Sequence, residues 1–179
     1  MDRKVETRSS FVLKMSRSHE YAVKIVKRAF VDTLGRAVDP SGREYWAAKV
    51  QKGMPISSLV LNLIASNEYL TKSGGTTGGF VDATYKAILG RSPSGAERSA
   101  QVAAIDQKRV TRLKMASNLY GSVESRRRRV RYEFSDLLGR SPSGAELDGW
   151  VAKLATKSDV DLAIFLGASQ EYYDASQVL

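Results

Sequence analysis

Nine residues of this chain occur twice without a change. Leu89-Gly90-Arg91-Ser92-Pro93-Ser94-Gly95-Ala96-Glu97 returns as Leu138-Gly139-Arg140-Ser141-Pro142-Ser143-Gly144-Ala145-Glu146. A looser copy, Leu34-Gly35-Arg36-Ala37-Val38-Asp39-Pro40-Ser41-Gly42, precedes both. The element reads as a helix stop followed by a helix start. Gly35, Gly90 and Gly139 suit the left-handed residue that closes a helix, where a Cβ would be strained. Ser94 and Ser143, each with Glu three positions on, form the pattern of a capping box. Asp39 takes the capping position in the first copy, and Pro40 the first helical position, where its missing N–H costs nothing. Arg36, Arg91 and Arg140 follow directly on the helix stop. They are read as structural: they can bond free carbonyls at the helix end or pair with glutamates such as Glu68 and Glu171.

A chain punctuated in this way three times is expected to be all-α, built of tandem three-helix repeats. About three units, with partial units at both ends, would pack into one helical array. The helix before each element carries apolar residues at i, i+4 and i+8: Val26, Phe30 and Leu34; Val81, Tyr85 and Leu89; Val130, Phe134 and Leu138. That is one face of a 3.6-residue period. The helix after each element carries Trp46 in the first unit and Trp150 in the third, with Gln101 at the matching place in the second. A third helix is expected over residues 56–65, 108–116 and 159–168, with Leu59, Val110 and Leu162 aligned and Ser158 as a cap. Each third helix should end in a signature: Ser66-Asn67-Glu68-Tyr69, Ser117-Asn118-Leu119-Tyr120 and Ser169-Gln170-Glu171-Tyr172. A fourth, Ser18-His19-Glu20-Tyr21, lies upstream.

These readings divide the chain into the end of a preceding unit (1–21), repeat 1 (22–72), a Gly/Thr-rich flexible linker (73–79), repeat 2 (80–121), repeat 3 (122–172), and a further unit's start or a tail (173–179). Residues 9–17, with Phe11 set against Leu59, read as a third helix of an earlier unit. Gly121-Ser122 reads as a break matching the linker, and residues 52–55 as a turn. The chain is therefore expected to start and stop within a repeat, as a piece of a longer protein would.

Composition narrows the chemistry. The chain has 179 residues, 42% of them hydrophobic, enough for a real core. It contains no cysteine, which removes disulfides and thiolate chemistry from consideration. No apolar run approaches the ~20 residues of a membrane span, and the first ten residues are too polar for a signal peptide. The net charge is +9, so an anionic partner is one reading: nucleic acid, cell-wall polymer, acidic glycan or acidic protein.

The sharpest basic feature is Arg126, Arg127, Arg128 and Arg129 with Arg131, a candidate polyanion site or a solvated helix face. No helix-turn-helix or zinc-finger spacing accompanies it, which argues against sequence-specific DNA reading. His19, the single histidine, has no nucleophile or carboxylate arranged beside it in the sequence and reads as a surface residue. Asp39, Ser41 and Glu44 lack the alternating acids of a calcium loop, and capping explains them better. The glycines at 74–75 and 78–79 lack the Lys-Ser/Thr of a phosphate loop. Trp46 and Trp150 could contact sugars, although at helical spacing they read first as core. No cofactor, metal or catalytic group is expected.

Leu-Gly-Arg, Asp39-Pro40, Tyr45-Trp46 and Ser-x-Glu-Tyr together resemble the DUF4214 repeat of bacteria and their phages. Phe80-Val81-Asp82 with Tyr85 and Leu89-Gly90-Arg91 matches its opening closely, and the resemblance runs over residues 9–175. Gln101 departs from its tryptophan, Leu119 from its glutamate, and Ser94 and Ser143 from its aspartate. The resemblance implies an all-helical module of secreted, cell-surface or S-layer-like proteins, to which no catalytic activity is assigned. A more distant similarity, to phycobilisome linker domains, implies a part that holds other proteins together.

Overall fold

A computed structural model describes residues 18–177, and the protein is all-α. Eleven helices are present among the described residues: α1 (His19–Leu34), α2 (Pro40–Gln51), α3 (Ile56–Ala65), α4 (Asn67–Lys72), α5 (Thr77–Leu89), α6 (Gly95–Asp106), α7 (Arg112–Gly121), α8 (Val123–Leu138), α9 (Gly144–Lys153), α10 (Asp159–Gly167) and α11 (Gln170–Ser176). None is long and apolar enough to cross a membrane. The proposed earlier helix over residues 9–17 lies outside the described residues.

The duplicated element behaves as its chemistry requires. Gly35, Gly90 and Gly139 have φ of 73°, 76° and 65°, the left-handed region in which glycine carries no Cβ penalty. Ser94 and Ser143 make complete capping boxes with Glu97 and Glu146. Asp39 accepts from the Gly42 amide, and Pro40 opens α2. Ser158 also caps, in a box closed by Asp161.

A second punctuation mark joins each third helix to the next helix. The Ser66 hydroxyl donates back to the Leu63 carbonyl at 2.7 Å and accepts from the Tyr69 amide at 3.1 Å. Ser169 does the same with Leu166 and Tyr172, and Ser18 accepts from the Tyr21 amide. One side chain thus satisfies an orphan carbonyl and an orphan amide where two helices meet.

The middle repeat corrects the sequence reading. Ser117-Asn118-Leu119-Tyr120 is no junction; it lies inside α7. The junction is Ser122, which donates to the Leu119 carbonyl and accepts from the Ser125 amide. The helix before it starts at Arg112, capped by Thr111, rather than near residue 108. The buried residue matching Leu59 and Leu162 is therefore Met115 and not Val110, and all three are at most 1% exposed. Gly121-Ser122 is accordingly a helix junction, whereas the match to residues 73–79 fails.

The Gly/Thr-rich linker is also shorter than expected. Only residues 73–76 lie outside helix. Thr76 caps α5 by accepting from the Gly79 amide, so Gly78 and Gly79 are helical. Here glycine serves close approach. A Cβ on Gly79 would run into the backbone carbonyl oxygen of Ser73, whereas one on Gly78 would meet only the movable end of Arg98.

The helices form two compact units. One comprises Ala22–Ser125; the other holds residues 18–21 and 126–177, so the boundaries fall inside α1 and α8. In the first, Val26, Phe30 and Leu34 of α1 and Val81, Tyr85 and Leu89 of α5 join Leu59, Ile64, Phe80 and Met115 in one buried cluster. In the second, Val130 and Phe134 pack with Leu147, Trp150, Leu162 and Leu166, and Leu138 is half-buried against them. Gly79→Ala is expected to lower stability by about 1–3 kcal/mol through forced backbone movement. Gly78→Ala should be near neutral, because an arginine tip can yield and alanine favours helix. Paired denaturant unfolding curves would check both.

Candidate functional site

The three element arginines form one constellation three times. Arg36 sends Nε and a terminal nitrogen to the two oxygens of Glu68, at 2.5 and 2.7 Å, across 32 residues of chain. Arg91 grips Glu124 in the same bidentate manner, at 2.6 and 2.9 Å, across 33 residues. Arg140 grips Glu171 at 2.5 and 2.9 Å, across 31 residues. Each arginine also donates to the carbonyl of the residue that follows it.

Each guanidinium sits over the aromatic ring six residues before it. The distances to the ring centroids are 5.4 Å over Phe30, 5.5 Å over Tyr85 and 5.2 Å over Phe134. A planar fork matches a carboxylate with two parallel bonds while its face covers a ring, which an ammonium cannot do.

In the two exact copies the capping glutamate joins in. Arg91 reaches both oxygens of Glu97, and Arg140 both oxygens of Glu146, at 2.9–3.0 Å. Those carboxylates accept from arginine and from the capping serine, and both are held down at about 2. Glu68, Glu124 and Glu171 are lowered first by their arginine hydrogen bond. The first copy has Gly42 where Glu97 and Glu146 stand in the others, and makes the clasp with Glu68 alone.

The sequence points to Glu68 and Glu171 as partners of the arginines, and the structure bears this out. It misses Glu124, because Leu119 is taken for the glutamate position. The signal is present in the sequence as the nearly constant interval from each Leu-Gly-Arg to a Ser-x-Glu, which Ser122-Val123-Glu124 satisfies.

The arginine run lies on α8. Arg126 donates to the Val151 carbonyl at 2.8 Å, Arg127 to Asp148 at 2.7 Å, and Arg129 pairs with Asp159. These three are half-buried and bind the helices of their own unit together, so gripping a polyanion would require them to leave those partners. Arg128 and Arg131 are exposed. His19 is exposed in the first turn of α1, and Asp39 accepts from Ser41 and Gly42 as a cap. No group of acids and histidines is arranged to hold a metal among the described residues.

Two aromatic faces emerge that the tryptophans alone do not reveal. Trp46 is half-buried and Trp150 is 8% exposed. The open rings are their neighbours. Tyr45 stands edge-on to Trp46 at 5.2 Å, and Phe165 lies against Trp150 at 5.1 Å; both are 55% exposed. A lysine covers each pair: Lys49 at 4.5 Å from the Tyr45 ring, Lys153 at 4.6 Å from Trp150. The constellation is built in two ways, since Gly149 stands where Tyr45 would recur and Phe165 from α10 takes its place. Gln101 stands at the matching place of the middle repeat, so no tryptophan pair forms there.

Glu133 is the one strongly perturbed acid of α8. Burial first, then the charges of Asp159 and Asp136, push its carboxyl up to about 7. Burial and Glu133 together raise the Tyr21 hydroxyl. No family model, curated protein or solved structure matches the chain.

A carboxyl raised from an ordinary 4.5 to about 7 keeps its proton in the folded state where the unfolded chain releases it. Its contribution is fully present below 4.5 and is lost as pH rises through 7. Glu133→Gln is therefore expected to raise the melting temperature at pH 8 and leave it unchanged at pH 4.5. An equal shift at both values would contradict the assignment.

Proposed function

We propose that this chain is a non-catalytic protein-interaction module of a larger bacterial cell-surface, secreted or phage virion protein. The observation that carries the reading is the pair of exposed aromatic–lysine faces, Tyr45-Trp46-Lys49 and Trp150-Lys153-Phe165. Each offers an open ring braced by a half-buried or buried tryptophan. Aromatic anchors on a rigid base lose little entropy on binding and dominate contact energy in protein interfaces. Keeping the constellation while changing the residue that supplies the open ring fits a surface retained for contact. In the second face, Arg140 also holds the capping Glu146 of the helix that carries Trp150. The resemblance to the DUF4214 repeat supports the same setting by fold-level analogy.

A second reading is binding of an anionic glycan, cell-wall polymer or nucleic acid. The exposed Arg128 and Arg131, with the net charge of +9, favour it. The internal pairing of Arg126, Arg127 and Arg129 reduces the charge that such a ligand could reach.

Photo-crosslinking separates the two. With benzoylphenylalanine at position 45 or 165 of the full protein in its own cells, a discrete protein adduct is expected from both sites. That adduct should survive 0.5 M salt, and none should form from the exposed position 52. Adducts only to nucleic acid or polysaccharide, lost on raising salt, would favour the second reading.

A further inference from the structure

We propose that the groove among α4, α5, α6 and α7 binds a small amphiphilic carboxylate, an inference independent of the interaction faces above. The groove has a volume of about 610 Å³, a size typical of small-molecule sites. Leu70, Ile105 and Val110 give it an apolar lining, together with Thr77 and Thr111. Two cations, Lys108 and Arg112, line it as well.

Arg112 is held by neutral acceptors: its terminal nitrogens reach Asn67 Oδ1 at 2.6 Å and the Ser66 carbonyl at 3.5 Å, and its plane lies over Phe80. No carboxylate pairs with Arg112 or Lys108 among the described residues. The nearby acid, Asp106, accepts from the Thr77 hydroxyl at 2.6 Å. Arg112 is thus a positioned guanidinium with no carboxylate partner among the described residues, the group that best recognises a carboxylate.

Lys108 supplies an independent sign. It is the only non-glycine residue with a positive φ, 55°, among those described. The same turn closes α2, where Gly53 takes the position with φ of 94°. The bonds match in both turns: Met54 N–H to the Lys49 carbonyl at 3.0 Å, and Arg109 N–H to the Ala104 carbonyl at 2.9 Å. Glycine is therefore the residue this backbone favours, and a lysine is kept there against the preference. The cations also belong to the middle repeat alone. The residue that opens the third helix is Ile56 in the first unit, Arg112 in the second and Asp159 in the last. A carboxylate between Lys108 and Arg112 would leave an alkyl or aryl body lying on Leu70, Ile105 and Val110.

The test uses the full chain, ¹⁵N-labelled, titrated with sodium octanoate, with sodium acetate and octylammonium chloride as controls. Octanoate is expected to move the amides of Leu70, Ile105 and Val110 to saturation, with neither control doing so over the same range. Arg112→Gln should weaken octanoate at least fivefold. Because that change also frees Asn67, the deciding variant is Lys108→Gly, which relieves the backbone. It should melt a few degrees higher than the parent yet bind octanoate at least threefold more weakly. Equal binding of octylammonium, saturation by acetate alone, or unchanged affinity in Lys108→Gly overturns the site. A Lys108→Gly chain that melts no higher overturns the claim that the lysine is kept at the expense of stability.

Discussion

The structure depends on a guanidinium that closes two distances at once. Each Leu-Gly-Arg arginine lies over the aromatic ring of the helix that precedes it and reaches a glutamate more than thirty residues on. The ring fixes the arginine against the buried face, and the fork fixes the first turn of a later helix. Because the glutamate follows a two-sided serine junction, the clasp sets both where that helix begins and how it is oriented. These groups are substantially exposed, so each pair alone contributes modestly in water. Their weight comes from geometry: bidentate contact, a stacked ring and, in two copies, a second carboxylate that also caps the next helix. Hydrophobic burial supplies the larger driving force, and the clasps select which helix faces share it.

Much of this was legible in the residues. Gly, Pro, Ser, Asp and Glu at the duplicated element carry their meaning locally, because left-handed backbone and orphan amides are satisfied by immediate neighbours. The three apolar triplets ending at Leu34, Leu89 and Leu138 likewise place their helices, since a 3.6-residue period needs no distant information. In the middle repeat a local likeness competes with a distant constraint. Ser117-Asn118 looks like Ser66-Asn67, yet only Ser122 leaves a glutamate where Arg91 can reach it. The glycines at 78 and 79 misled for a related reason. Their composition suggests a flexible linker, while the proximity of the Ser73 carbonyl requires a missing side chain inside a helix.

The surface was less legible than the scaffold. Charge counting singled out residues 126–131, but Arg126, Arg127 and Arg129 meet Val151, Asp148 and Asp159, none of which is adjacent in sequence. Tyr45 and Phe165 emerge as equivalents only in three dimensions, since they occupy different positions of their repeats. Scaffold and surface also divide the labour. Repeated positions hold the helices, whereas departures from the repeat mark the proposed surfaces: Phe165, with Gly149 in place of a tyrosine, in one unit, and Lys108 and Arg112 in the other.

A double-mutant cycle on Arg91 and Glu124 tests the central claim most directly, because this pair is the one at odds with local sequence likeness. Thermal melts would compare Arg91→Gln, Glu124→Gln and the double variant at low and high salt. If the clasp sets the phase of the middle repeat, the double variant melts no lower than Arg91→Gln alone, and the coupling shrinks with salt. Strictly additive losses at low salt, with no coupling between the two sites, would contradict it.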